Sequence, residues 1–413
     1  MSLGQLKQRY QTFVDKKLNL DMTRGKPCAA QLDLSDPLLT NLVHQDVLIH
    51  NDCRNYSPPP LLSGLPEMKT LMAEVLGIDA KNIVIGGNSS LNLMYDTLIK
   101  AMLFPLPGQD RVWSSHDKVK FLCPVPGYDR HFSICESLGI EMINVPLTGH
   151  GPDMDRVEQL VAEDAAIKGM WCVPKYSNPT GEIYSNEVIR RLATMKTAAA
   201  DFTLFWDNAY AVHHLDMSKP FEIMDILAAC ESAGHANRVF MYASTSKITY
   251  AGAGVAILAA NEANLAWYLK HMKIQTIGYD KINQLRHLKL LKDKAHFMAH
   301  MGEHAKILKP KFDIVDSVLR DELGQNGEYA TWRLPDGGYF ISFNTKAGLA
   351  RKVIDMAAKA GVKLTEAGAT YPYGRDSNDS NIRIAPSLPS VEELKLATEI
   401  LAVVVKIATK EAL

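Results

Sequence analysis

The chain has 413 residues, with 45 Lys plus Arg against 46 Asp plus Glu, which gives a formal net charge of −1. The length suggests two or three domains with a full hydrophobic core. The near-neutral charge argues against nucleic acid as the main partner. Apolar residues make up 47% and charged residues 22% of the chain, which is typical of globular proteins and not of disordered or membrane proteins. We therefore expect a small-molecule ligand.

The cysteines and the N-terminal segment bear on the compartment. The six cysteines are scattered, without a C-x-x-C pair or a dense disulfide spacing. The first ten residues, MSLGQLKQRY, are polar, and no apolar run approaches the roughly 18 residues of a membrane span. We predict reduced thiols and a cytoplasmic protein.

From residue 82 onward, short apolar runs alternate with longer segments of helical periodicity. This rhythm is typical of a mainly parallel sheet covered by helices, in which buried strands appear as continuous apolar runs. The predicted strands are 82–87, 120–125, 140–146, 169–174, 203–207, 238–244 and 254–260. The sequence thus predicts a large α/β domain.

The pattern changes in the last third of the chain. A long helical stretch covers 283–323, where we expect Pro310 to break or bend the helix. Beyond Gly327 the sequence predicts a smaller α+β unit. Its elements are two strands around the Asp-Gly-Gly turn of 329–345, a helix at 347–360, a strand at 381–386 and a closing helix from 391.

The predicted domain organisation uses both chain ends. The first forty residues do not fit the alternation of strands and helices, and we expect them to pack on the C-terminal unit as an arm. We predict that residues 1–45 form this arm and part of the small domain, that 46–300 form the large ligand-binding domain, and that 301–413 form the small domain.

Polar side chains cluster where the predicted strands end. In parallel α/β sheets, ligands bind beyond the carboxyl ends of the strands. The candidates are Gly87, Asn88 and Ser89 at the first strand, Tyr128 and His131 after the second, Asn178 after the fourth, Asp207 and Tyr210 after the fifth, and Ser244 and Lys247 after the sixth. Together they predict a cofactor pocket.

These residue types suit pyridoxal phosphate, which needs a lysine for covalent attachment, an acid for the pyridine nitrogen and a cradle for the phosphate. Lys247 follows a strand among small residues and could act as an amine nucleophile. Asp207 would pair with the protonated ring nitrogen. Tyr210 and Asn178 would bind the phenolic oxygen of the ring.

The remaining candidates complete the predicted pocket. Tyr128 offers an aromatic face for stacking on the ring, and His131 could orient Asp207. Residues 87–89 precede a predicted helix, whose first N–H groups and dipole favour a phosphate, with the hydroxyl of Ser244 beside them.

The ordered set of Tyr128, Asn178-Pro-Thr-Gly, Asp207-x-x-Tyr210 and Ser244-x-Ser-Lys247 resembles the fold type I pyridoxal phosphate enzymes, specifically the aspartate aminotransferase superfamily. The resemblance extends from about residue 20 to the end of the chain. It implies a homodimer with shared active sites. It also implies that Arg383 binds the substrate α-carboxylate and that Tyr56 reaches the phosphate of the neighbouring subunit.

One departure from the superfamily pattern points to a particular subgroup. Most of the superfamily has a phosphate-binding arginine eight residues after the lysine, where this chain has Val255. The segments DMTRGKP, SKITYAGAG and DKINQLRH are similar to the class I-c aspartate aminotransferases, which are related to the aminotransferase part of MocR-type regulators. The similarity implies that Arg24, Gly25 and Lys26 lie on an arm over the active site and that Lys281 approaches the neighbour's cofactor.

The resemblance implies transamination of L-aspartate and 2-oxoglutarate to oxaloacetate and L-glutamate. The alternatives are transamination of aromatic or other amino acids, and β-elimination or racemisation on the same cofactor. A ligand-sensing regulator module is a distant alternative, since only about twenty residues precede DMTRGKP. A nicotinamide enzyme is disfavoured because the glycine fingerprint is incomplete.

We also predict that no metal is bound. His296, His300 and His304 recur every four residues on one predicted helix, without carboxylate or cysteine partners. We expect them to form a solvated helix face.

Overall fold

A computed structural model describes residues 1–412 of the chain. The strands are β1 (Leu20–Asp21), β2 (Ile83–Ile85), β3 (Lys120–Val125), β4 (Glu141–Pro146), β5 (Ile167–Cys172), β6 (Thr203–Asp207), β7 (Val239–Ser244), β8 (Ala256–Ala259), β9 (Ala330–Trp332), β10 (Ile341–Thr345), β11 (Val362–Lys363) and β12 (Asn381–Ile384). The α-helices are α1 (Leu3–Val14), α2 (Ala29–Asp33), α3 (His44–Val47), α4 (Ile49–Asp52), α5 (Pro66–Leu76), α6 (Ser90–Leu103), α7 (Asp129–Ser137), α8 (Met154–Glu163), α9 (Asn186–Thr194), α10 (Ile226–Ser232), α11 (Glu262–Gln275), α12 (Lys281–Leu291), α13 (Lys294–Leu323), α14 (Ala350–Lys359) and α15 (Val391–Ala412).

The centre of the fold is a seven-stranded sheet in the order β2-β8-β7-β6-β5-β3-β4. Every neighbouring pair is parallel except the two that include β8, which is antiparallel to both β2 and β7. The mainly parallel α/β sheet predicted from the sequence is confirmed. Its six strands of common direction bring their carboxyl ends to one edge.

Helices cover both faces of this sheet. Along β6, Leu204 and Trp206 belong to the hydrophobic cluster of one face, and Phe205 belongs to that of the other. Successive side chains of a strand point to opposite faces, so a strand covered on both sides is apolar at every position. This burial explains why the strands are visible in the sequence as unbroken apolar runs.

A second hydrophobic cluster joins the two chain ends. Leu6 and Phe13 of α1 are buried in it, α1 packs against α15, and Leu20 of β1 pairs with Val362 of the parallel strand β11. The three-stranded antiparallel sheet β12-β10-β9 lies in the same cluster. The N-terminal segment therefore packs on the C-terminal unit.

The domain bounds stay a prediction. The proposed division between residues 300 and 301 falls inside α13. Phe297, near the start of that helix, packs in the core of the large sheet, whereas Leu308 packs in the second cluster. Among the helices of residues 1–412, none is long and apolar enough to cross a membrane.

The predicted helix over 283–323 is wrong in one respect, because the break does not lie at Pro310. The chain forms α12 and α13, separated at Lys292, which has a φ of 52°. Asp293 then caps α13, its carboxylate accepting the N–H of His296 at 2.9 Å. Pro310 lies inside α13 and has no N–H for the carbonyl of Lys306, four residues earlier. Both residues are exposed, so solvent can reach that carbonyl.

The predicted Asp-Gly-Gly hairpin is also corrected. β9 and β10 pair as antiparallel neighbours, with Trp332 opposite Phe343, but eight residues separate them. The glycines pack against the large sheet's loops instead: a Cβ on Gly337 would lie 2.4 Å from the His213 carbonyl oxygen, and Gly338 donates its N–H to that oxygen at 2.9 Å. The glycines therefore serve a contact between distant segments.

The histidines of α13 do not form a solvated face. His304 is buried and His300 is half-buried, while His296 is exposed. The expectation was wrong because the helix turns His304 toward Gln31 of the N-terminal segment and His300 toward the Ile248 carbonyl. Among the described residues, no group of side chains has the composition of a metal site.

Candidate active site

A cavity of about 720 Å³ lies where the carboxyl ends of the parallel strands meet the arm and the three-stranded sheet. It brings together most of the residues predicted from the sequence. Those that line it are Arg24, Gly25, Lys26, Ser89, Tyr128, Asn178, Asp207, Tyr210, Ser244, Lys247 and Arg383. Residues separated by more than 350 positions in the sequence therefore face one space.

Lys247 follows the end of β7 and lines this cavity. Its Nζ atom lies 4.9 Å from the centre of the Tyr210 ring. Burial lowers the pKa of the lysine below its ordinary value, and the charge of Asp207 partly opposes that shift. A lowered pKa favours the neutral amine, which is the nucleophilic form.

Asp207 is the last residue of β6, and its carboxylate is held from behind. His131 Nε2 lies 2.9 Å from Asp207 Oδ2, and the His131 ring stacks on Trp171 with ring centres 4.2 Å apart. The other oxygen, Oδ1, is buried and has no hydrogen-bond partner among the described residues. A buried carboxylate oxygen without a partner is costly, so this atom is suited to a cationic or N–H-bearing ligand.

Two aromatic hydroxyls stand beside this carboxylate. Burial raises the pKa of Tyr128 to about 12, with a further contribution from Asp207. Burial likewise raises the pKa of Tyr210 far above its ordinary value. Both phenols therefore stay protonated at neutral pH and act as uncharged hydrogen-bond donors.

The start of α6 forms a polar cradle. Ser89 caps the helix, its hydroxyl accepting the N–H of Leu91 at 3.2 Å. Ser246 donates to the Asn88 carbonyl at 3.0 Å, and Ser244 donates to Ser246 at 3.1 Å. The hydroxyls and the free helical N–H groups at this end suit an anion. The predicted Gly87 and Asn88 do not line the cavity.

Arg383 lies on β12, and its guanidinium is in contact with several groups. Its Nη1 is 2.8 Å from Asp129 Oδ1 and 3.4 Å from Asn178 Oδ1, and its Cζ is 4.9 Å from the centre of the Phe340 ring. Nε is buried without a partner in the described residues. The guanidinium therefore keeps donors for a further carboxylate.

The arm closes the cavity from the other side. Arg24 and Lys26 line it and are exposed. Gly25 lies between them, and a Cβ there would come within 2.4 Å of the Phe340 ring. The missing side chain lets the arm lie against the three-stranded sheet.

Val255 is buried in the core, so no cation stands at that position. The cavity holds another basic residue that the sequence analysis did not assign, Arg130, which is exposed. Asp129, Arg130 and Phe340 are among the lining residues that the sequence analysis did not assign. Asp129 and Arg130 begin α7, directly after the loop that follows β3, and this position was a signal for them. Phe340 carried no signal.

Tyr56 and Lys281 do not reach this cavity. They line a separate recess of about 580 Å³, where Lys281 Nζ donates to the Asn55 carbonyl at 2.7 Å and to Ser57 Oγ at 3.0 Å. The Tyr56 side chain is 76% exposed. Within one chain, these two residues are thus separate from the other predicted residues.

The fold and the site define a class of protein, the α/β enzymes with a lysine-centred site at the carboxyl edge of the sheet. The family model described as aspartate amino-transferase matches residues 2–413. The chain belongs to this family and is an aminotransferase. The predicted resemblance to the fold type I aminotransferases is confirmed.

Similar proteins support this assignment. A putative aminotransferase of Mycolicibacterium smegmatis is 47% identical over 415 residues, covering 99% of this chain and 96% of the relative. An aspartate aminotransferase of Corynebacterium glutamicum is 44% identical over 408 residues, covering 98% and 93%.

Solved structures show the same fold. An aspartate transaminase from Corynebacterium glutamicum superimposes with a TM-score of 0.96 at 43% identity, over 99% of this chain and 96% of that one. An α-aminoadipate aminotransferase from Thermus thermophilus, complexed with N-(5'-phosphopyridoxyl)-L-leucine, has a TM-score of 0.77 at 18% identity, over 96% and 94%. At that identity the second structure shows the fold alone.

Proposed function

We propose that the chain binds pyridoxal 5'-phosphate at Lys247 and transfers the amino group of L-aspartate to 2-oxoglutarate, giving oxaloacetate and L-glutamate. The observation that carries the proposal is the cavity in which Lys247, Asp207 and Arg383 converge. The name of the 44%-identical relative, aspartate aminotransferase, supports the choice of substrate.

The residues present fit the cofactor. The buried, unpartnered Oδ1 of Asp207 would receive the protonated ring nitrogen. Ser89 and Ser244 would hold the phosphate at the start of α6, Tyr128 would stack on the ring, and Tyr210 and Asn178 would bind the phenolic oxygen. Pyridoxal phosphate, when bound, supplies an electron-poor ring that accepts the electrons of the broken Cα–H bond.

The protein's own part is binding, orientation and proton transfer. Arg383 would bind the α-carboxylate through its free donors, fixing the Cα–H bond of the substrate toward Lys247. Lys247 Nζ would take that proton as a general base and later return it as a general acid. Its lowered pKa favours the neutral base at the start of the reaction.

The distal carboxylate of aspartate needs a second cation. Arg24, Lys26 and Arg130 line the cavity, and none of them has an ion-pair partner within residues 1–412. They support a dicarboxylic substrate over a neutral one. We further propose that the protein is cytoplasmic, supported by six cysteines that are all free and buried.

The attachment site can be tested with a matched pair of lysines. Lys175 is also buried, and burial lowers its pKa to about 8, but its Nζ donates to the Ala211 carbonyl at 2.7 Å and does not line the cavity. We expect Lys247→Ala to lose the visible absorption band of lysine-bound pyridoxal phosphate and Lys175→Ala to keep it. Wild-type protein that never acquires the band would refute the cofactor.

The substrate can be tested on the loaded protein by adding single amino acids. We expect aspartate and glutamate to remove the visible band within the first turnover, with aromatic and small neutral amino acids slower. If aspartate and glutamate leave the band unchanged while others remove it, the substrate assignment is wrong although the cofactor assignment stands.

A further inference from the structure

The peptide that carries Lys247 is held by a network of polar side chains that do not line the cavity. The Lys247 carbonyl accepts the Tyr339 hydroxyl at 3.3 Å and lies 3.4 Å from His213 Nε2. The next carbonyl, of Ile248, lies 2.7 Å from His300 Nε2. Two consecutive carbonyls at the lysine are thus fixed by donors from other elements.

Gln31 joins the two sides of this network. The Gln31 side chain is fully buried on α2, and its Nε2 lies 2.9 Å from the Tyr339 hydroxyl and 2.9 Å from His304 Nδ1. His304 Nε2 in turn lies 3.2 Å from His300 Nε2. The Gln31 amide therefore contacts both series of side chains that lead to the lysine peptide, one through Tyr339 and the other through His304 and His300.

The donors and acceptors of the network are consistent with one another. Gln31 Oε1 accepts the N–H of Cys28 at 3.2 Å, which assigns Nε2 to the other side, where its two hydrogens serve Tyr339 and His304. Tyr339 then donates its own hydrogen to the Lys247 carbonyl. His304 Nδ1 accepts, so the ring is neutral and carries its proton on Nε2. The Nε2 hydrogens of His304 and His300 are then both directed at the Ile248 carbonyl, and the two nitrogens are neighbours that form no hydrogen bond with each other.

The network also connects to the parts of the protein that close the cavity. Gln31 follows the cavity-lining arm segment 23–27 by four residues. Tyr339 precedes Phe340, which contacts Gly25 of the arm and the guanidinium of Arg383. A displacement of the arm is therefore expected to move Gln31 and Tyr339, and the Tyr339 hydroxyl is hydrogen-bonded to the lysine peptide.

We propose that Gln31 is a positioning residue for Lys247, whose amide couples the placement of the arm to the placement of the lysine peptide. The inference rests on the proposed role of Lys247 as the cofactor-bearing base. A lysine that must approach both cofactor and Cα tolerates little displacement, since a misplacement of about 1 Å can cost about a hundredfold in rate. Gln31 does not line the cavity.

The test replaces Gln31 by Met, which keeps the length of the side chain and removes both donors. The matched control is Asn264→Leu, because Asn264 is equally buried and its amide donates to the Asn237 carbonyl at 3.0 Å, near the amino end of β7 and outside the cavity. Both variants remove a buried amide. Equal losses of thermal stability would show that they are comparable as structural perturbations.

The first readout needs no cofactor. Ile248 and Thr249 donate their N–H groups to the Thr245 carbonyl at 2.9 Å. We expect Gln31→Met to speed hydrogen exchange of these two amides about tenfold in the full chain, and Asn264→Leu to leave it unchanged. Unchanged exchange in Gln31→Met overturns the coupling, whether or not the protein binds pyridoxal phosphate.

The second readout uses the loaded enzyme. We expect Gln31→Met to lower kcat about tenfold at little changed KM for aspartate and to shift the pH midpoint of the visible band. Tyr339→Phe should change kcat and the pH midpoint in the same direction, and the double variant should lose less than the sum of the two single losses. Additive losses, or a loss of stability without the kinetic and spectral changes, would overturn the proposal; a wild type without the band would refute the proposed function instead.

Discussion

Asp129 forms an ion pair with the guanidinium of Arg383, the group that we assign to binding the substrate α-carboxylate. Its Oδ1 lies 2.8 Å from Arg383 Nη1, and its side chain is 35% exposed at the cavity wall. A carboxylic substrate would enter next to a carboxylate that already satisfies part of the arginine. The ion pair of a partly exposed carboxylate is worth about 0.5–1 kcal/mol after screening by solvent.

We therefore predict that Asp129→Asn lowers KM about two- to fivefold for every amino acid substrate. The effect is general because all of them carry the α-carboxylate. Steady-state kinetics with aspartate and with a neutral amino acid measures it, and Arg383→Ala, expected to raise both KM values, is the reference. A rise of KM in Asp129→Asn would show instead that Asp129 orients Arg383 for binding.

At the scale of elements, the buried His304 of α13 links the stability of the fold to pH. Burial lowers the pKa of His304 to about 4, whereas a histidine in an unfolded chain titrates near 6.5. Below pH 6.5 the unfolded chain binds a proton that the folded chain does not, so the free energy of unfolding falls as the pH falls from about 6.5 toward 4.

We predict that His304→Gln loses less stability on acidification than wild type, by on the order of 2 kcal/mol between pH 7 and pH 4.5. Urea unfolding at the two pH values measures the difference. His296→Gln, at an exposed position of the same helix, should lose as much as wild type. If all three proteins lose the same amount, His304 is not the group that links acid to unfolding.

The elements also show what a sequence can predict. The strands of the large sheet could be predicted because burial on both faces makes every position apolar. The break before α13 could not, because Pro310 is the stronger local signal while Lys292 and Asp293 make the break. The loop at Asp336 has a turn-like sequence, but its conformation follows from backbone hydrogen bonds to His213 and Leu215, which lie more than 120 positions earlier.

The same division applies to the site. Asp207 ends a strand, and Lys247 and Asn178 come shortly after strands. The topology of a parallel sheet brings such positions to one edge. Gln31 and Tyr339 are ordinary residues on a short helix and beside a strand, and only tertiary packing joins them. Sequence therefore predicted the residues that face the cavity better than those that support them.

At the scale of the whole molecule, the recess around Tyr56 and Lys281 lies apart from the cavity of the same chain. Beside it, Ile274 is 82% and Ile277 is 60% exposed, and the Ile277 carbonyl accepts the N–H of Ser57 at 3.2 Å. Exposed apolar side chains around an exposed tyrosine favour burial against another molecule. We infer a homodimer in which Tyr56 and Lys281 of each subunit complete the cavity of the other.

This arrangement predicts complementation between inactive variants. Lys247→Ala and Tyr56→Ala should each be nearly inactive as homodimers, because every site then lacks one group. In a hybrid dimer, one site combines the intact Lys247 of the first chain with the intact Tyr56 of the second. Random assortment makes half of the dimers hybrids with one intact site of two, so co-expression should restore about a quarter of wild-type activity.

The matched control co-expresses a chain carrying Lys247→Ala with a second chain carrying Asp207→Ala. Both residues line the same cavity of a single chain, so each site of a hybrid still lacks one of them, and activity should not return. Recovery in this control would mean that chains exchange more than one segment. No recovery in the first pair, with dimers verified by mass, would place Tyr56 outside the neighbour's site, and full activity of Tyr56→Ala alone would remove it from the site altogether.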